Sequence, residues 1–109
     1  MRKSAILITG ANGEIGRELI KSFTNDDLKI VTLDLAPFND TISRSIYEEI
    51  IGSILDIEII NQLNMKYDIK IIYHLAAILS TKADDNPQLA HDVNVEGTLN
   101  LLNLALKQA

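Results

Sequence analysis

The chain contains no cysteine. That excludes a disulfide framework, a thiolate metal site and a cysteine nucleophile. Basic residues are not in excess: ten Lys and Arg stand against fifteen Asp and Glu, for a net charge of −5. A general nucleic-acid-binding surface is therefore not expected. No apolar run approaches the ~18 residues of a membrane span. The start, Met1-Arg2-Lys3-Ser4 before Ala5-Ile6-Leu7-Ile8, has the charge order of a secretory signal. Its apolar part is too short and meets glycine at once, so it reads as the buried first strand of a cytoplasmic protein. Repeats and low-complexity linkers are also missing. The chain has 109 residues and 47% hydrophobic content, which bounds it to one domain, large enough for a core.

What is present is glycine at a telling spacing. Thr9 to Gly16 reads Thr-Gly-Ala-Asn-Gly-Glu-Ile-Gly. An apolar strand precedes it, and Ile15, Leu19, Ile20 and Phe23 follow at helical spacing. Gly10, Gly13 and Gly16 thus sit where a strand turns into a helix, the context a dinucleotide-binding motif requires. One glycine permits the tight turn, one lets the backbone approach a pyrophosphate, and one lets the helix pack closely on the sheet. The first helical N–H groups lack intrahelical partners and lie at the positive end of the dipole, which suits phosphate. A ligand-free glycine turn is the bland alternative.

The rest of the chain alternates strands and helices. Ala5 to Thr9 is apolar without alternation, as in a parallel strand covered on both faces. A first helix runs from Gly13 to about Asn25, and Lys29 to Asp34 forms the second strand. Asp34 closes that strand roughly 20 residues past the glycines, where an acid binds the ribose hydroxyls of NAD and repels the 2′-phosphate of NADP. The bland alternative, an ordinary strand-end carboxylate in a turn, is outweighed by the glycines upstream. Leu35 to Ser45 is a loop or short irregular crossover. Tyr47 to Ile51 is a short third strand. Asp56 caps a helix with apolar positions Ile60, Leu63 and Tyr67. Lys70 to Ala77 is the fourth strand, and His74 within it reads as a satisfied core residue before a ligand or base. After a polar loop from Ile78 to Asp85, Asn86-Pro87 opens a helix that reaches Gln108. The predicted fold is α/β, a parallel sheet of order 3-2-1-4 with flanking helices and right-handed crossovers, binding its nucleotide across the carboxyl ends of strands one and four.

Together, Thr9–Gly16, Gly52–Asp56, His74-Leu75-Ala76-Ala77 and Asn94-Val95-Glu96-Gly97-Thr98 resemble the extended short-chain dehydrogenases/reductases, the NAD-dependent epimerase/dehydratase group with its Rossmann-type fold. Ser53-Ile54-Leu55-Asp56 and His74 to Thr81 look most like the short-chain type of L-threonine 3-dehydrogenase, although nucleotide-sugar epimerases share most of these words. The resemblance implies roles. Gly10, Asn12, Gly13, Glu14, Ile15 and Gly16 would line the pyrophosphate. Asp34 and Leu35 would hold the adenosine ribose, and Ser53 and Ile54 would meet the adenine. Leu75, Ala76 and Ala77 would run under the nicotinamide ribose. Asn94 would sit on the helix behind the active site. Ser80 and Thr81 would face substrate, or simply be solvated.

Three departures qualify the resemblance. Ser53 stands where the group usually has an aspartate that accepts from the adenine amino group, so NAD is expected to bind less tightly. Lys82-Ala83-Asp84 replaces the glycine that the threonine dehydrogenases tend to carry in that loop. The group's Tyr-x-x-x-Lys pair is absent, because Tyr47, Tyr67 and Tyr73 have no lysine four residues on. Residues 1–109 therefore read as an incomplete NAD(P)-binding domain, the amino-terminal part of a longer enzyme or a truncated relative, with no catalytic residue and no metal site. A non-catalytic dinucleotide-binding or interaction module fits the same motifs. A flavodoxin-like or response-regulator domain fits them poorly. The last helix carries leucines around much of its circumference. Leu99, Leu102 and Leu106 cannot share a face with Leu101 and Leu104, so a homodimer through this helix is expected.

Overall fold

The computed structural model describes residues 2–23, 28–77 and 85–108. Its framework is a four-stranded parallel sheet of order β3-β2-β1-β4, as the alternation of strands and helices predicts. β1 (Lys3–Thr9) is central, pairing β2 (Lys29–Asp34) on one side and β4 (Tyr67–His74) on the other. β3 (Glu48–Ile51) extends the sheet beyond β2. Right-handed βαβ units must cover both faces of such a sheet, which is why Ala5 to Thr9 shows no polar alternation. Every one of these five residues is buried.

The strand period of two sorts them between two cores. Ala5 and Leu7 with Val31 and Leu33 face α2 (Ile57–Lys66) and α4 (Thr98–Gln108), where Ile60, Leu63, Leu101 and Leu104 meet them. Ile6 and Ile8 with Ile30 face α1 (Glu14–Ser22), meeting Ile20 and the crossover residues Phe38 and Ile42. Each fully buried aliphatic side chain contributes about 1.5–3 kcal/mol from burial.

Several boundaries differ from the sequence expectation. α1 ends at Ser22 with Phe23 as its extended cap; the predicted extension to Asn25 lies outside the described residues. The crossover contains one 3₁₀ turn, Thr41–Ser45. Strand four starts at Tyr67, not Lys70, and ends at His74, not Ala77. The apolar spacing places Tyr67 in the preceding helix. Its backbone is extended (φ −125°, ψ 144°), and its ring fills the same core from the strand side. The register slips between Ala5 and Ile6, leaving Lys70 as the extra residue of a bulge, and such bulges are invisible to a pattern of period two. The closing helix is three pieces: α3 (Pro87–His91), a π-helical stretch (Asp92–Gly97) and α4. Asn86 and Asp56 cap their helices as expected, Asn86 accepting from Leu89 N and Asp56 from Glu58 N and Ile59 N.

The glutamates of β3 fit an edge strand. Glu48 accepts from Lys66 Nζ at 2.8 Å and closely from the Tyr67 hydroxyl, and Glu49 accepts from Phe38 N at 3.2 Å. Burial and the Glu48 carboxylate push the Tyr67 hydroxyl well above its ordinary pKa, while Lys66 and Tyr67 draw Glu48 below its own against the opposing effect of burial. This cluster sits at the amino ends of the strands, so Tyr67 lies at the far end of the sheet from the glycine turn.

Candidate functional site

The carboxyl ends of β1, β2 and β4 open into one groove. β1 and β4 flank the point where strand order reverses, the place where open α/β sheets bind ligands. The glycine turn builds one wall. Gly10 has φ +63°, a conformation costly for any residue with a Cβ. A Cβ there would also lie 2.6 Å from Ala76 N and 2.7 Å from Leu75 C. The β1 turn and the segment after β4 therefore touch backbone to backbone. At Gly16 a Cβ would meet Ala11 O at 2.4 Å, so α1 is seated directly on the turn. The first intrahelical bond of α1 runs from Arg17 N to Gly13 O at 3.0 Å. The N–H groups of Glu14, Ile15 and Gly16 precede it and form the positive end of the helix.

Asp34 stands opposite. Its Oδ2 accepts from Asn12 N at 2.9 Å and its Oδ1 from Ala36 N at 3.0 Å. The carboxylate is thereby fixed at the groove rim by both oxygens, each with lone-pair capacity left for a further donor. Asn12 ties the same loop a second time, giving Nδ2–H to Pro37 O at 3.0 Å and taking Arg17 Nη1–H on Oδ1 at 2.7 Å. Arg17 also pairs with Asp40 and lies 5.6 Å from the Phe38 ring centroid. Sequence reading missed Arg17; the signal was its position directly after Gly16, one turn from Asn12.

The distal wall follows β3. Ser53 Oγ accepts from Leu55 N at 3.0 Å, and Gly52 N donates to Asp34 O at 3.0 Å. Ile54 is held from behind: Asn100 Nδ2 donates to its carbonyl at 2.9 Å, and a Cβ on Gly97 would stand 2.3 Å from its Cδ1. Gly97 on the π-helical stretch thus leaves the room that the Ile54 side chain occupies.

The structure brings ten of the predicted residues to this groove: Gly10, Asn12, Gly13, Asp34, Leu35, Ser53, Ile54, Leu75, Ala76 and Ala77, with Leu33, Ala36, Gly52 and Val93 as unpredicted neighbours. It does not line the groove with the side chains of Glu14 or Ile15, and Ile15 is 71% exposed. Gly16 is buried beneath the turn. Asn94 lies on the π-helical stretch. Ser80 and Thr81 lie outside the described residues.

His74 sits beside this groove. Its Nδ1 is 2.7 Å from Thr9 Oγ1 and its Nε2 is 2.9 Å from Thr98 Oγ1. Both ring nitrogens are satisfied, as expected, but the ring is half-buried rather than in the core, and burial pulls its pKa below the ordinary value.

A dinucleotide fits these residues on the structure's own terms. The turn has no room for a Cβ at Gly10, three helical N–H groups open α1, and an anchored carboxylate faces them. A mostly apolar lining that includes Leu33, Ile54 and Val93 is suited to a flat ring.

The model of the NAD dependent epimerase/dehydratase family matches residues 6–109. An uncharacterized epimerase/dehydratase of Staphylococcus aureus (strain USA300) is 33% identical over 104 residues, covering 92% of this chain and 32% of that protein. Among solved structures, a monomeric L-threonine 3-dehydrogenase from a metagenome database superposes with TM-score 0.78 at 40% identity, covering 94% of this chain and 33% of its own. The L-threonine dehydrogenase of Clostridium difficile gives TM-score 0.79 at 30% identity, covering 96% and 34%. These 109 residues thus span about a third of the length of the relatives they match. The chain belongs to the NAD-dependent epimerase/dehydratase family.

Proposed function

We propose that the groove between the glycine turn and Asp34 binds NAD, and that these residues are the cofactor-binding part of an oxidoreductase resembling L-threonine 3-dehydrogenase. The observation that carries the reading is the Asp34 carboxylate, fixed by Asn12 N and Ala36 N at the groove rim. The amides of Glu14, Ile15 and Gly16 would take the pyrophosphate, and the free lone pairs of Asp34 the adenosine ribose hydroxyls. A 2′-phosphate would meet a carboxylate whose geometry is already set, so NAD is favoured over NADP. Ser53 and Ile54 would border the adenine. Leu75, Ala76 and Ala77 would run beneath the nicotinamide ribose.

NAD, when bound, supplies the hydride acceptor. The chain's own residues orient it, and the Tyr-x-x-x-Lys pair that moves the substrate proton in such enzymes is not among these 109 residues. In this reading the pair and the substrate pocket come from outside them. The substrate assignment rests on two solved L-threonine dehydrogenases at 30% and 40% identity. A cytoplasmic location follows from the same reading; among the described residues no helix is long and apolar enough to cross a membrane. On α4, Leu99, Leu102 and Leu106 are exposed, which supports self-association through this helix. The metagenomic relative is described as monomeric, so this face is a property to test on the chain itself. Calorimetric titration with NAD and with NADP tests the cofactor reading. NAD should bind more tightly, and equal or tighter NADP binding would overturn it.

A further inference from the structure

His74 links three elements that meet at the groove, and its proton can be placed by inventory. Thr9 Oγ1 takes N–H bonds from Leu75 and Ala76, each at 3.2 Å. An amide can only donate, so the hydroxyl accepts there, and its single proton is left for His74 Nδ1 at 2.7 Å. On the other side, Thr98 Oγ1 is 2.8 Å from Asn94 O. A carbonyl can only accept, so that hydroxyl proton is already used, and Nε2 must donate to Thr98 at 2.9 Å. Both ends require the same species, the neutral ring with its proton on Nε2.

The chain of bonds runs from Leu75 and Ala76 through Thr9, His74 and Thr98 to Asn94. It joins the segment pressed against Gly10 to the π-helical stretch that carries Val93 in the groove. A second proton on Nδ1 would face an oxygen whose lone pairs already serve two amides. The Thr9 hydroxyl would then lose its acceptor and release its hold on Ala76, while Leu75 N keeps its bond to the Thr9 carbonyl at 3.1 Å.

We infer that His74 is a positioning residue whose neutral ring holds the Leu75–Ala76 floor of the groove, so that protonation of the ring loosens this floor and weakens dinucleotide binding. The binding half rests on the cofactor reading above; the positioning half does not. The charged groups on the elements that meet the ring do not replace the lock. On β4, Asp68 and Lys70 pair with each other at 2.8 Å. On the π-helical stretch, Asp92 accepts from Gln88 Nε2 at 2.9 Å and Glu96 is exposed. On β1 the charged residue is Lys3, at the opposite strand end, and on α4 it is Lys107, in the last turn. Burial alone lowers the ring's pKa.

Nitrogen NMR on the labelled full chain decides the matter. At pH 8, Nε2 should carry the proton and Nδ1 should be bare. As pH falls through the ring's titration, amide protection at Ala76 should drop while protection at Leu75, whose N–H also bonds the Thr9 carbonyl, and in β2 persists. NAD affinity should weaken with it, by up to tenfold per pH unit, the limit for one linked proton. His74→Gln keeps an acceptor and a donor without titrating, so protection and affinity should lose their pH dependence. A proton on Nδ1 at pH 8, unchanged protection across the titration, or loss only through global unfolding would each overturn the inference. If His74→Gln fails to fold, the wild-type titration still decides. If NAD does not bind even at pH 8, the cofactor reading falls, and the tautomer and protection still judge the positioning role.

Discussion

Replacing Gly10 with alanine probes the backbone contact between the β1 turn and the segment after β4. At φ +63° an L-residue costs about 1–2 kcal/mol relative to its favoured regions. The new Cβ would lie within 2.8 Å of three backbone atoms of Leu75 and Ala76. Backbone cannot rotate away as a flexible side chain can, and forced overpacking of this kind costs about 1–3 kcal/mol. Reduced freedom of the unfolded chain returns about 0.4–1 kcal/mol. The expected net loss is about 2–4 kcal/mol, a large share of the ~5–15 kcal/mol that holds a typical domain. Urea denaturation should show the midpoint falling by roughly 1–3 M at the slopes usual for small proteins. Gly13→Ala is the internal control. Gly13 has φ −75°, and a Cβ there would meet only Gly10 O, at 3.3 Å, so its loss should stay below about 1 kcal/mol. If the two variants lie within about 0.5 kcal/mol of each other, the argument that β1 and β4 meet backbone to backbone at Gly10 is wrong.

Asp34→Ala should weaken NAD by about 1–3 kcal/mol in calorimetry, the scale of hydrogen bonds to a charged group, and should narrow any preference over NADP. It also frees Asn12 N and Ala36 N, so a modest fall in stability should accompany it. Above pH 10 the protein should lose stability in a chemical-denaturation series. The unfolded Tyr67 ionises there while the folded one keeps its proton, and Tyr67→Phe should flatten that limb. The purified 109-residue chain should form no NADH with L-threonine, since it carries no Tyr-x-x-x-Lys pair; turnover would refute the division of labour proposed above. Light scattering at micromolar concentration should show assembly that disappears when Leu99, Leu102 and Leu106 become polar, and a monomer indifferent to those changes would remove α4 as an association face.

The strand order and both faces of the sheet were legible because burial on two sides leaves an unmistakable mark, the unbroken Ala5–Thr9 run. The places of Gly10 at the strand-to-helix turn and Asp34 at the end of β2 were legible because a positive φ and a strand-end turn admit few residue types. What escaped was either non-local or without periodicity. The start of β4 at Tyr67 follows from a bulge that places Lys70 opposite no partner. The π-helical stretch follows from a chain path that simple helical spacing cannot register. Arg17 and Asn100 act through partners 23 and 46 residues away in sequence. His74 could be read as satisfied, but its partners Thr9 and Thr98 come together only once β1, β4 and α4 are assembled.

The most direct test of the central claim is a map of NAD binding by amide chemical shifts on the full chain. Titration should move Gly10 to Gly16, Asp34 to Ala36 and Leu75 to Ala77 together, saturably, and should leave the Tyr47–Glu48–Tyr67 cluster at the opposite strand ends unmoved. The absence of saturable shifts at millimolar NAD, or shifts confined to any other surface, would contradict the assignment.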